Sequence, residues 1–144
     1  MYKLSNRSFR NLKGVNPISI DILEYSIKHK DCPYDFGICN DGGFRTSEDQ
    51  YKMYVRGAST KDGYIRKSKH QSGRAIDLYI YINGRASWNP DMLESLYKHI
   101  EKMAIEKFGI DTRWGGDWDE DGIRVDKDKT EHFLDGGHIE FKVQ

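Results

Sequence analysis

The run AIDLYIYI, Ala75–Ile82, constrains the fold of this chain more than any other segment. Its β-branched and aromatic residues predict a strand, and the Asn83-Gly84 pair after it predicts a turn. Shorter segments with strand character are DFGIC, TRWG and the alternating HIEFKV near the end of the sequence. Together they predict a mostly antiparallel sheet.

Helical patterns surround these strands. The first covers Ser19–Lys30, where apolar residues recur on one face. The second has Thr46 or Ser47 as its cap, acidic residues in its first turn and Gly57 at its end. The polar stretch Ala58–Ser68 then predicts a long loop. Helices packed on a mostly antiparallel sheet make the predicted fold class α+β.

The longest predicted helix begins at Asn89-Pro90-Asp91, reaches Phe108 and stops at Gly109. Asparagine at the cap, proline at the first helical position and glycine beyond the end are the expected order of these residues. Apolar residues at helical spacing predict its buried stripe: Leu93, Leu96, Ile100, Met103 and Ile105.

Composition narrows the class of protein. At 144 residues, the chain is expected to form one domain, 1–144. A formal net charge of zero argues against a nucleic-acid partner. No apolar run approaches the length of a membrane-spanning helix, and the start, MYKLSNRSFR, lacks the apolar segment of a secretory signal. Cys32 and Cys39 are expected to be reduced packing residues.

A metal site is predicted where the strong strand begins. His70 lies just before this strand and Asp77 within it, so loop and strand can bring both side chains to one point. Imidazole and carboxylate are both good zinc ligands. His138, which opens the last strand, is the expected third ligand, with His132 as the alternative. This donor set leaves a fourth zinc position open, as in catalytic sites, and Asp135 is placed to act there as a general base.

Two motifs resemble those of a known family. His70-x-x-Gly73-x-Ala75-x-Asp77, followed much later by Asp135-x-x-His138-x-Glu140, resembles the zinc peptidases that include D-alanyl-D-alanine dipeptidases and carboxypeptidases. The closer likeness is to their phage endolysin branch, the L-alanyl-D-glutamate peptidases. The segments GGFRT, SKH, YINGRASWN and RWGGDW also resemble these endolysins, and the likeness extends over about residues 20–144.

The resemblance implies a role for each matching residue. One catalytic Zn²⁺ is held by His70, Asp77 and His138. Asp135 acts as the general base and then as the proton donor to the leaving amine. Arg45 stabilises the developing oxyanion or clamps a substrate carboxylate.

Further matching residues are expected around the same site. Ser68 is expected to contact the substrate. Glu140, two residues after the last metal ligand, is expected to orient a ligand through a hydrogen bond. Trp114 and Trp118 are expected to wall the cleft.

The family resemblance implies a phage endolysin that hydrolyses the L-Ala–D-Glu bond of peptidoglycan stem peptides and so lyses the host cell. The expected enzyme is a monomer without a separate wall-binding domain and without membrane insertion. It is expected to be made in the host cytoplasm without a signal peptide, and to reach the wall after a separate factor permeabilises the membrane. Two alternatives stay open: a D-Ala–D-Ala dipeptidase or carboxypeptidase, and a non-catalytic wall-binding or calcium-binding domain that retains the zinc fold.

A second metal site is predicted in an acidic segment. Asp117, Asp119 and Asp121, followed by Gly122, match the start of the EF-hand calcium loop, and Asp128 stands at its twelfth position. An EF-hand has Glu at that position, and no amphipathic helix leads into this segment. The segment is expected to bind a regulatory Ca²⁺ and to gate the cleft, with a solvated acidic loop as the alternative.

Overall fold

Strand β2, Ala75–Ile82, lies at the centre of an antiparallel sheet, as its sequence predicts. The structure is a computed structural model that describes residues 1–127 and 134–144. Within these ranges the sheet has five strands, and β2 pairs with three of the others. The other strands are β1 (Phe36–Ile38), β3 (Arg85–Ser87), β4 (Thr112–Trp114) and β5 (His138–Phe141).

Helices pack on this sheet, so the architecture is α+β, as predicted. The α-helices of the described residues are α1 (Asn6–Asn11), α2 (Pro17–Lys28), α3 (Ser47–Val55) and α4 (Pro90–Met103). A π-helical turn, Ala104–Phe108, continues α4 and ends at Gly109, whose φ is 68°. None of the helices in the described ranges is long and apolar enough to cross a membrane.

The helix starts follow the predicted capping pattern. Thr46 accepts a hydrogen bond from the backbone N–H of Asp49, and the Asp49 carboxylate accepts one from the backbone N–H of Thr46. This reciprocal pair is a capping box. At the start of α4, the Asn89 side chain accepts from the backbone N–H groups of Asp91 and Met92. Both predicted caps are confirmed, so the sequence defines where α3 and α4 begin.

The predicted buried stripe of α4 is wrong at one position. Leu93, Leu96, Ile100 and Met103 are buried, but the side chain of Ile105 is 50% exposed. Ile105 lies two residues after Met103, and a step of two residues turns a helical side chain through about half a turn. It therefore faces solvent, on the side opposite the stripe.

The alternation of side chains along β2 separates the core from the candidate metal ligands. Ile76, Leu78 and Ile80 belong to the hydrophobic core, which α2 and α4 complete. Successive side chains in a strand point to opposite faces, so Asp77 lies on the other face of the sheet. The register pairs Asp77 directly with His138 of β5. Directly opposed residues share one face, so the sheet itself brings these two side chains together.

Candidate active site

The turn that carries His70 is held by its own cap. The Ser68 hydroxyl accepts a hydrogen bond from the backbone N–H of His70, and the Gln71 side chain accepts one from the backbone N–H of Ser68. The turn is a short 3-10 helix, Lys69–Ser72, and Gly73 ends it with a φ of 70°, a conformation that suits glycine. This geometry sends the His70 ring inward. The sequence predicts that Ser68 contacts the substrate, which stays a prediction. In the structure the Ser68 hydroxyl caps this turn.

Three side chains meet at the start of β2 as the sequence predicts. His70 Nε2 lies 3.4 Å from Asp77 Oδ2, and His138 Nδ1 lies 3.0 Å from Asp77 Oδ1. One ligand atom from each of the three residues lies within 4.8 Å of the others. Donors around a tetrahedral zinc ion at its usual bond lengths stand roughly 3.3 Å apart, so these separations suit such an ion. The rival ligand His132 lies outside the described residues.

A hydrogen bond to the backbone determines which nitrogen of His70 is available to bind a metal. Its Nδ1 lies 2.9 Å from the carbonyl oxygen of Gly43. A carbonyl oxygen only accepts, so Nδ1 carries the proton and Nε2 keeps its lone pair for a metal. A side chain at Gly43 is excluded, because its Cβ would lie 2.0 Å from the carbonyl oxygen of Asn11. The donor set of two imidazoles and one carboxylate fits Zn²⁺.

Glu140 holds His138 from the other side of the ring. Its Oε2 lies 3.0 Å from His138 Nε2, while His138 Nδ1 faces Asp77. The carboxylate thus accepts the Nε2 proton and leaves Nδ1 to the metal cluster, which is the orienting geometry expected for Glu140. Arg113 Nη1 in turn lies 3.5 Å from Glu140 Oε1. Arg113 was not among the predicted site residues. The β4–β5 register pairs it directly with Glu140 and so brings it to the site.

Arg45 supports the ligand Asp77. The residue is 6% exposed, and Nη2 donates to Asp77 Oδ2 at 2.9 Å. Its Nε donates to the carbonyl oxygen of Asp41 at 2.7 Å, and its Nη1 donates to Gln50 Oε1 at 3.1 Å. These acceptors hold the guanidinium against the three candidate metal ligands, His70, Asp77 and His138, whose side chains we call the metal cluster. The predicted contact of Arg45 with substrate stays a prediction, and the structure adds a contact with Asp77.

The protonation states of the metal-free cluster follow from burial and hydrogen bonding. Burial disfavours the charged imidazole, but hydrogen bonds to Asp77 and Glu140 outweigh it and raise the pKa of His138 to about 9. Burial likewise disfavours ionised Asp77, yet its hydrogen bond with His138 and the nearby His70 ring hold the pKa of this carboxyl well below its usual range. For Asp135, burial and then the negative charge of Asp77 raise the pKa of the carboxyl.

The metal cluster lies in a cleft of about 580 Å³. Asp135 lies on its wall, and backbone hydrogen bonds to Gly115 and from His138 fix the position of this residue. Trp118 lies beside the cluster, with its ring centroid 5.3 Å from that of His138, and the Arg113 guanidinium lies over the Trp118 ring at 5.1 Å from its centroid. Trp118 therefore lies in the cleft wall, where the sequence places it.

Trp114 does not lie in the cleft, and this prediction is wrong. Its side chain is 3% exposed and stacks on Tyr97 with ring centroids 5.2 Å apart, within the hydrophobic core. Its indole N–H donates to the carbonyl oxygen of Gly136 at 2.7 Å. Neighbouring residues of a strand point to opposite faces, so Trp114 packs inward while Arg113 reaches the cleft. Trp114 acts on the site only by fixing the chain before His138.

The acidic segment also forms a cluster. Carboxylate oxygens of Asp117, Asp119 and Asp121 lie within 4.8 Å of one another. The Asp117 carboxylate accepts hydrogen bonds from the backbone N–H groups of Asp121 and Gly122, which closes the loop on itself. Asp128, the predicted fourth calcium ligand, lies outside the described residues. The loop is exposed, and Trp118 lies within it between the first two aspartates.

A His–Asp–His donor set on the floor of a cleft, with a further carboxylate on the wall, is the arrangement of a metal-dependent hydrolase. Comparison with known proteins identifies the peptidase family. The sequence profile of the family described as phage L-alanyl-D-glutamate peptidase matches residues 1–142. The chain therefore belongs to this family, which confirms the resemblance seen in its motifs.

Two relatives illustrate the match. The L-alanyl-D-glutamate peptidase of Escherichia phage T5 is 34% identical over 142 residues, which cover 96% of this chain and 97% of that protein. The crystal structure of the L-Ala D-Glu endopeptidase ChiX from Serratia marcescens has a TM-score of 0.73 and 24% identity, covering 99% of this chain and 90% of the other. The second comparison shows that the two chains share the fold.

Proposed function

We propose that this protein is a phage endolysin that hydrolyses the L-Ala–D-Glu bond of peptidoglycan stem peptides, with Zn²⁺ held by His70, Asp77 and His138. The observation that carries the proposal is the register of β2 and β5, which sets Asp77 opposite His138 at the floor of the cleft. Membership of the phage L-alanyl-D-glutamate peptidase family supplies the substrate. It favours this bond over the D-Ala–D-Ala bond. The enzyme acts on the wall after the membrane is permeabilised.

The side chains around the ligands prepare the site for the metal. His70 is locked as the tautomer with a free Nε2, Glu140 accepts the proton of His138 Nε2, and Arg45 holds Asp77. A Zn²⁺ ion bound there polarises the scissile carbonyl and lowers the pKa of water. The protein residues therefore hold each donor in place before the metal arrives, which favours binding.

Asp135 moves the proton in the reaction. Its carboxyl group lines the cleft beside the three candidate metal ligands, where it can take up a proton and give it back. Asp135 removes a proton from the attacking water as the hydroxyl adds to the L-Ala carbonyl carbon. It then donates that proton to the nitrogen of D-Glu as the C–N bond breaks. The remaining proton of the water passes from the new L-Ala carboxyl group to the amine, so the products are a carboxylate on L-Ala and an ammonium group on D-Glu.

Analysis of a peptidoglycan digest by mass spectrometry tests this function. Wild-type protein loaded with zinc is expected to release stem peptides that begin with D-Glu. His138→Ala is expected to lose both bound zinc and hydrolysis, whereas Asp135→Asn is expected to keep zinc and lose turnover. Release of a terminal D-Ala alone would show the carboxypeptidase activity instead. Retained turnover in Asp135→Asn would remove Asp135 from the mechanism.

The acidic loop is proposed as a regulatory Ca²⁺ site. The clustered carboxylates of Asp117, Asp119 and Asp121 support it, because Ca²⁺ prefers several oxygen ligands. Trp118 lies in this loop and in the cleft wall, so ordering the loop would also order part of the wall. Calorimetry on zinc-loaded protein is expected to show heat on addition of Ca²⁺, and Asp119→Ala is expected to abolish it. Asp21→Ala, which removes an exposed carboxylate outside the loop, is the control. Absence of heat in the wild type contradicts the site.

A further inference from the structure

Three exposed lysines line the active-site cleft. We call Lys61, Lys67 and Lys69 the lysine rim, because all three line the cleft that holds the metal cluster. Throughout the part of the chain that the structure describes, none of the three ammonium groups forms an ion pair. Like charges gathered at a cleft repel one another and attract an anion. The lysine rim is therefore a prepared position for a negative group of the substrate.

The backbone under the lysine rim is fixed to the catalytic elements. Gln50 Nε2 donates to the carbonyl oxygen of Lys61 at 2.9 Å, and its Oε1 accepts from Arg45, the residue that holds Asp77. Gln71, in the turn that carries His70, donates to the carbonyl oxygen of Gly63 at 2.9 Å. The segment that bears the lysines thus keeps a set position relative to the metal ligands.

Charge is divided within the cleft. Its carboxylates, Asp77, Asp135 and Glu140, belong to the metal cluster or its immediate surroundings. The two arginines that line the cleft are already engaged: Arg45 donates to Asp77 at 2.9 Å, and Arg113 contacts Glu140 and the carbonyl oxygen of Trp118 at 2.9 Å. Among the described lining residues, the lysine rim therefore offers an anionic group of the substrate cations that no carboxylate already engages.

The scissile bond has an anion beside it. In a stem peptide, D-Glu continues the chain through its γ-carboxyl group, so its α-carboxylate is free. This carboxylate is attached to the carbon that carries the scissile nitrogen, and it must lie close to the metal cluster when the bond is cut. Some walls carry the amide in its place, which removes the charge without changing the shape. The two forms of the stem thus differ in the negative charge that the lysines attract.

We propose that Lys61 and Lys67 bind the free α-carboxylate of D-Glu and make the enzyme selective for stems that are not amidated there. The inference rests on the proposed function, because it takes L-Ala–D-Glu as the scissile bond. Lys69 belongs to the turn that positions His70, so the test leaves it unchanged. Charge-assisted hydrogen bonds to a carboxylate are stronger than neutral ones, which gives the acid form its advantage.

The test compares two synthetic stem peptides that differ only at this group, the α-carboxylate and the α-amide. For the wild type, kcat/KM is expected to be about tenfold higher for the acid, and the ratio is expected to shrink as salt is added. The double variant Lys61→Met and Lys67→Met is expected to bring the ratio close to one, mainly through a higher KM for the acid. Kinetics on the amide should not change. Arginine at both positions is expected to restore the preference, and Lys30→Met, an exposed lysine outside the cleft, to leave it intact.

The outcomes separate the two claims. Equal cleavage of acid and amide by the wild type, or a preference that survives in the double methionine variant, overturns the lysine assignment while the peptidase activity stands. Cleavage of neither peptide by zinc-loaded wild type overturns the proposed function, and this inference with it.

Discussion

Arg45 Nη2 lies 2.9 Å from Oδ2 of Asp77, so a buried guanidinium holds the carboxylate that links the two histidines of the metal cluster. The same guanidinium is anchored to Asp41 and Gln50. An arginine fork fixed at several points can set the orientation of a carboxylate. Loss of Arg45 is therefore expected to act on metal binding as well as on the reaction.

Arg45→Met is expected to weaken zinc binding by roughly ten- to a hundredfold, the usual effect of removing a residue that orients a ligand. Competition with a chromogenic chelator measures this affinity. Arg45→Lys keeps the charge but not the fork, and it is expected to recover only part of the affinity. Activity at saturating zinc separates the two roles of Arg45. Recovery of the wild-type kcat in Arg45→Met shows that Arg45 only positions Asp77, and a persistently low kcat shows that it also stabilises the oxyanion. Unchanged zinc affinity in Arg45→Met would contradict the positioning role.

Gly137→Ala is expected to destabilise the fold more than Gly136→Ala. A Cβ at Gly137 would lie 2.4 Å from the carbonyl oxygen of Leu78, where the Leu78 N–H also donates to the Gly137 carbonyl oxygen at 2.9 Å. That contact forces β5 away from β2 beside His138, at an expected loss of ~2–4 kcal/mol in the free energy of unfolding. A Cβ at Gly136 meets the end of the flexible Leu93 side chain at 3.0 Å, so its effect is expected to be smaller. Urea unfolding compares the two, and equal losses would contradict the argument.

The sequence predicts the parts of the fold whose signal is local. Strand β2 is long and rich in β-branched and aromatic residues, and α4 carries both its cap and its terminal glycine. Helix α1, with six residues, and strand β3, with three, were not predicted, because so few residues do not show a hydrophobic period. Their places depend on tertiary contacts, such as the Ser8 hydroxyl that accepts from the backbone N–H of Ile38.

The candidate site divides in the same way. His70, Asp77 and His138 stand in short motifs whose spacing is visible in the sequence, and the structure brings them together. Arg113 was missed because its contact with Glu140 arises from the β4–β5 register. This register pairs only three residues of each strand and cannot be read from the sequence. Trp114 was misplaced because a core tryptophan and a cleft tryptophan look alike in a sequence. Only the direction of each side chain from the sheet distinguishes them.

Trp118→Ala is expected to raise KM several-fold while zinc content stays that of the wild type. The indole lies beside His138, with ring centroids 5.3 Å apart, and lines the cleft without being a metal ligand. Its loss removes an apolar contact surface for the stem peptide next to the scissile bond. Trp118→Phe keeps an aromatic ring there and is expected to lie between the two proteins in KM. Steady-state kinetics on a stem peptide measures the effect, and an unchanged KM in the alanine variant would remove Trp118 from substrate binding.

His99 is expected to make the stability of the fold depend on pH. Its ring is 9% exposed, and Nε2 lies 2.8 Å from the carbonyl oxygen of Ser26, so this nitrogen carries the proton of the neutral ring. Burial lowers the pKa of His99 below its ordinary value of 6.5, and the charges of His29 and Lys102 lower it further, against the opposing charge of Asp31. The folded protein therefore binds this proton less readily than the unfolded chain. The contribution of His99 is fully present above about pH 6.5 and is lost as the pH falls below that value.

The variant His99→Gln isolates this effect, because a glutamine amide can donate to the same carbonyl oxygen but does not titrate. The free energy of unfolding, measured in urea at about pH 7.5 and about pH 5, is expected to fall more in the wild type than in His99→Gln. All other titratable residues are the same in both proteins, so the difference between the two falls reports the replacement of His99. Equal falls would show that the folded protein accepts the proton on His99 as readily as the unfolded chain does, and that the ring can turn away from Ser26 to do so.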